Sequence, residues 1–128
     1  MMLGIKPDLF RGFGLRAYLE FKSFWQEHHK HGFRVARILA TKGSTYKKAG
    51  SVKLISSSGK STGMLSGGCL EEEIIRLALS TPVGKTFAVD TRSPEDKYFG
   101  SGTGCQGLLE IEVAEVLAGT QWLSLIHI

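Results

Sequence analysis

No apolar run in this chain approaches the roughly 20 residues that a membrane-crossing helix needs, so no helical span is expected. The first residues do not read as a signal peptide, because Lys6, Asp8 and Arg11 interrupt any apolar core. Cysteine is scarce: Cys69 and Cys105 are the whole thiol inventory. They could form a bridge, but with no mark of secretion a reduced pair in the cytoplasm is the expectation. Aromatic residues are thin where the charge is densest. Only Tyr46 stands among Lys42, Lys47, Lys48, Lys53 and Lys60, so a nucleic-acid surface is not expected there. These lysines read either as a site for a small phosphorylated anion or as a solvated face. A Walker loop is missing, as are internal repeats and low-complexity tracts. What is present is ordinary globular material. With 128 residues, 42% of them hydrophobic and a net charge of only +4, the chain suits one domain that buries a core without staples.

The stretch to Gly14 is broken by Pro7 and Gly12 and reads as irregular. Leu15 to about His29 carries apolar residues at helical spacing, with Gly32 as the stop signal. His28, His29 and His31 are read as a basic helix end suited to the macrodipole, in preference to a metal cluster. Phe33–Ala40 reads as a buried strand that ends in a polar turn, Thr41–Thr45. Ser51–Ser56 and Lys60–Leu65 read as a hairpin about Ser58-Gly59. Cys69–Leu79 is an amphipathic helix whose first turn holds Glu71, Glu72 and Glu73. Thr86–Asp90 is a strand, and Thr91–Tyr98 a loop. Leu109–Val113 is a strand with one wet face. Helices and strands mix without strict alternation. The expected fold is therefore α/β in the broad sense (mixed α+β), a mixed β-sheet flanked by helices in a single domain.

Both cysteines sit in glycine-rich segments. Ser66-Gly67-Gly68-Cys69 joins a strand to a helix start, where amides and the absence of Cβ atoms suit an anion or a close-lying ligand. A thiol there gains thiolate character from the helix end, against which the three glutamates act. The alternative is a tight turn with a buried, inert cysteine. Gly102-Thr103-Gly104-Cys105-Gln106-Gly107 matches the dinucleotide-binding pattern by letter, but a polar loop precedes it and a strand follows. That context rules out a Rossmann site. Thr41–Thr45 is either an anion-binding turn or a plain turn, and Asp90 is read as a turn cap.

Three blocks together carry a resemblance: Ile38–Thr45, Gly63–Glu71, and Gly102–Gly107 running into Leu109-Glu110-Ile111. They resemble, in order, the N-terminal domain of the XdhC/CoxI family, accessory proteins of xanthine dehydrogenase and related molybdenum hydroxylases. The resemblance covers roughly Phe33 to Val116. It implies a domain over residues 1–120, an atypical or truncated tail over 121–128, and no counterpart of the family's C-terminal Rossmann-like domain. It also implies a chaperone that binds the molybdenum cofactor (molybdopterin form), supports its sulfuration with a cysteine desulfurase, and inserts it into the hydroxylase. The implied cofactor-binding residues are Lys42, Gly43, Ser44, Ser66, Gly67, Gly68, Cys69, Glu71, Gly104, Cys105 and Gly107. Cys69 and Cys105 are the candidate molybdenum contacts, since thiolates suit a soft metal. Self-association as a homodimer is compatible with the sequence. A carrier is preferred to the alternative, a thiol-dependent transferase or oxidoreductase using Cys69, because no histidine lies near that cysteine in sequence.

Overall fold

Phe33–Ser44 (β2) and Gln106–Val116 (β6) pair antiparallel from Phe33 opposite Val116 to Ser44 opposite Gln106. A computed structural model of the chain describes residues 2–3, 14–45, 47–68, 70–90 and 106–121, and in it this ladder is the spine. Around it stand Met2–Leu3 (β1), Leu15–His28 (α1), Val52–Ile55 (β3), Ser61–Thr62 (β4), Glu71–Ser80 (α2) and Thr86–Asp90 (β5). The strand order is β1-β6-β2-β3-β4, and β5 pairs with β6 beyond β1 on the same edge.

The α+β class is as expected, but every described strand pairing is antiparallel, where the sequence suggested a mixed sheet. The reason lies in how the two helical crossovers are placed. β1 and β2, joined through α1, run in the same sense with β6 between them. β4 and β5, joined through α2, also run in the same sense, with β3, β2 and β6 between them. Each crossover is split by intervening strands, so no parallel neighbours arise. The two crossovers also travel in opposite directions across the sheet. Right-handed connections then require their helices to lie on opposite faces.

The side chains bear this out. Phe21 and Phe24 of α1 pack with Phe33, Val35, Leu54, Ala114 and Val116. Ile74 and Ala78 of α2 pack with Ala36, Ile38, Ile55, Leu109, Ile111 and Val113. Adjacent strand residues such as Val35 and Ala36, or Leu54 and Ile55, serve opposite layers. That is why β3 is buried at all four positions and reads as an unbroken apolar run around one lysine. Arg34 fastens the far end of α2, its guanidinium donating to the carbonyls of Ala78 (2.8 Å) and Thr81. Trp25 Nε1 donates to Thr120 O at 2.7 Å, and the Gly119 amide donates to His29 O, tying the segment after β6 to α1.

Candidate functional site

Two of the three sequence blocks meet as register partners. β2 does not stop at Ala40, as the apolar run suggested, but continues through the residues read as a turn. Lys42 lies opposite Leu108, Gly43 opposite Gly107, and Ser44 opposite Gln106. A bulge between Ile38 and Ala40 leaves Leu39 without a partner and shifts the alternation by one residue. As a result Thr41 and Gly43 share the face of Leu109 and Ile111, which is the α2 face. Lys42 falls on the opposite face, exposed beside the partly exposed Leu108. Gly43 has φ +78°, a left-handed conformation that favours glycine. The glycine pair gives this face a level without side chains.

The second block lies on the same face. α2 ends near Arg34, at the start of β2, and begins beside Lys53, whose strand partner is Ala36. Its N-terminus therefore lies on the Ala36 side of Arg34 along β2. The loop before it is built around Glu71. The Glu71 carboxylate accepts from Lys53 Nζ (2.8 Å), from the amides of Leu65 (3.2 Å) and Ser66 (2.6 Å), and from Ser66 Oγ. Lys53 Nζ also donates to Gly63 O at 2.9 Å. Ser66 Oγ in turn accepts from the Leu70 amide at 3.0 Å. Burial pushes the Glu71 carboxyl up, but the hydrogen bonds from Lys53 and Ser66 and the lysine's charge outweigh it, and its pKa lies below the ordinary carboxylate value.

Several candidate residues take definite places in this arrangement. Ser66 is buried and Glu71 half-buried, and both spend their polar atoms on the loop itself. Gly67 and Gly68 are exposed, with φ of +74° and +101°. Cys69, Gly104 and Cys105 lie outside the described residues, as do the loop expected over Thr91–Tyr98 and most of the 121–128 tail. Asp90 ends β5 opposite Leu108, one residue from Gly107.

Lys53 is the residue that sequence reasoning missed. Grouped with the surface lysines, it is only 3% exposed. The available signal was its position between Val52 and Leu54 in a strand with no other polar residue, which points the lysine into the opposite layer. His28 and His29, by contrast, work in packing. His28 lies against Phe24 and His29 stacks on Trp25, at the end of α1 that leads into the start of β2. A separate cleft of about 680 Å³ opens on the other side of the second block, where Gly63 and Met64 face Arg16, Glu20, Lys47 and Ser51. Its size is that of a small-molecule site.

The described residues form an α+β domain in which glycines from distant segments share one sheet face. The sequence profile of the XdhC and CoxI family matches residues 27–90, half of the chain, and the chain belongs to that family. It is 35% identical over 85 residues to a probable xanthine dehydrogenase subunit from Bacillus subtilis (strain 168), a match covering 64% of this chain and 26% of that protein. The crystal structure of a xanthine dehydrogenase from Bacillus halodurans superposes with a TM-score of 0.54 at 28% identity, over 77% of this chain and 29% of that one. The chain thus spans about a quarter of the length of the curated relative it matches.

Proposed function

We propose that this chain is the cofactor-handling domain of an accessory protein serving xanthine dehydrogenase or a related molybdenum hydroxylase. It holds the molybdenum cofactor during sulfuration and delivery, with a cysteine desulfurase as second partner, in the cytoplasm, as a carrier rather than a catalyst. The observation that carries the reading is the pairing of Gly43 with Gly107 on the face that also bears the Ser66–Gly68 loop. These segments are family blocks, and a common face is what a shared ligand requires. The relatives' names, which refer to xanthine dehydrogenase, supply the client.

The residues suit such a cofactor. Exposed Gly67 and Gly68 offer backbone with no Cβ to hold a ligand away, and exposed Gly43 offers the same on that sheet face. Cys69, next in sequence to Gly68, and Cys105, two residues before Gly107, bring thiolates that match a soft metal. The molybdenum cofactor, when bound, supplies the redox-active metal that the client hydroxylase needs. This chain's own part is to hold it through backbone groups and sulfur.

The test is retention. Purified chain incubated with excess molybdenum cofactor is expected to co-elute with the cofactor's absorbance on a sizing column, and elution without it overturns the carrier reading. Cys69→Ala and Cys105→Ala are each expected to lower the cofactor retained per monomer. Unchanged stoichiometry in both variants removes direct ligation by sulfur.

A further inference from the structure

We infer that Lys53 and Glu71 are positioning residues that preset the Gly67-Gly68 segment leading to Cys69, a role that no apolar pair of equal volume could fill. The segment is clamped at both ends. On its N-terminal side, the Leu65 and Ser66 amides and Ser66 Oγ all donate to the Glu71 carboxylate. On its C-terminal side, the Leu70 amide donates to Ser66 Oγ, which closes a ring that includes both glycines. Lys53 sets the height of this ring above the sheet, since it reaches up from β3 to both Glu71 and the Gly63 carbonyl. Each end of the clamp therefore refers back to one buried ammonium group.

Burial of such a pair is not explained by stability. Desolvating two charges costs several kcal/mol per ion, and replacing a buried pair with packed apolar residues is often neutral or stabilising. What an apolar pair cannot do is accept two amide protons and fix a carbonyl, which is what these groups do here. Two successive left-handed glycines have a wide choice of alternative conformations. An unclamped loop would therefore spend little of its time in any one of them. The purpose of the loop rests on the proposed function, but its geometry does not.

The experiment separates fold from positioning in the full chain carrying Cys105→Ser, without cofactor. Lys53→Met/Glu71→Leu removes the clamp, while Lys53→Met/Glu71→Gln removes the charges and keeps an acceptor for the amides. Three quantities are read: the melting temperature, hydrogen exchange over residues 63–70, and the rate of Cys69 alkylation at one fixed pH. Both double variants are expected to melt within a few degrees of the parent. The leucine variant is expected to exchange at least about tenfold faster at Leu65 and Ser66, the equivalent of one lost charge-assisted hydrogen bond. Its alkylation rate should shift severalfold, and the glutamine variant should recover part of both effects. Parent-like exchange and alkylation in the leucine variant overturn the proposal. Should that variant fail to fold, the glutamine variant decides by the same comparison. Loss of cofactor retention in the parent would sink the carrier reading and leave this result standing, so the two failures are distinct.

Discussion

Gly43 stands directly opposite Gly107 in the β2–β6 ladder, on the face that carries α2. Because Gly43 has φ +78°, Gly43→Ala forces a side chain into a left-handed conformation at a cost of about 1–2 kcal/mol. Gly59, with φ +92° and nothing near its missing Cβ, is the matched control. Both alanine variants are expected to lose similar stability in urea titrations. Only Gly43→Ala should also lower cofactor retention, and equal retention in the two would separate the glycine pair from ligand binding.

Gly63 offers a sharper contrast with the same control. A Cβ there would lie 2.7 Å from Val52 O and 3.1 Å from Lys53 Cα, in addition to the strain of φ +94°. Both obstacles are backbone in the buried strand β3 and cannot swing aside. Gly63→Ala is expected to cost about 2 kcal/mol more than Gly59→Ala, the scale of overpacking in a tight core. Equal melting temperatures for the two would contradict it.

Acid should loosen the loop before the sheet. The folded-state pKa of Glu71 lies below its ordinary 4.5, so the contribution of its carboxylate is fully present above that value. It is lost as pH falls through the lower folded value, because the unfolded chain takes up the proton first. Stability measured from pH 7 down to pH 3 should therefore fall more steeply in the parent than in Lys53→Met/Glu71→Gln. Parallel curves would remove the prediction.

Ile74 is fully buried between α2 and the sheet. Ile74→Ala is expected to cost about 2–5 kcal/mol through lost burial and the cavity left behind. Chemical denaturation checks the figure. A cost below about 0.5 kcal/mol, the scale of an ordinary surface change, would mean that the α2 layer is packed loosely.

Much of this architecture could be read from local pattern. The helix expected from Leu15 to about His29 forms over Leu15–His28, and Thr86–Asp90 forms as expected. The hairpin about Ser58-Gly59 is present, although β4 keeps only Ser61–Thr62 of its expected length. What local pattern could not show is pairing. Thr41–Ser44 has turn composition and becomes strand because β6 lies alongside it, and Gln106-Gly107 becomes strand for the same reason. Lys53 has the chemistry of a surface residue, and only a carboxylate 18 positions away in sequence makes its burial tolerable. The family blocks marked where the site would be. The clamp that shapes one of them draws its lysine from outside all three.

The unpaired Leu39 has one last implication. Deleting that single residue would close the bulge and leave every partner in place, because Ala40 already follows Ile38 against β6. The lysine and the glycine would keep their present sides, and only the kink and added twist that an extra residue imposes would be lost. A chain shortened by this one amino acid should keep its hydrophobic layers, so any loss of cargo would be owed to the straightened arm. No substitution at the surface itself would isolate that bend so cleanly.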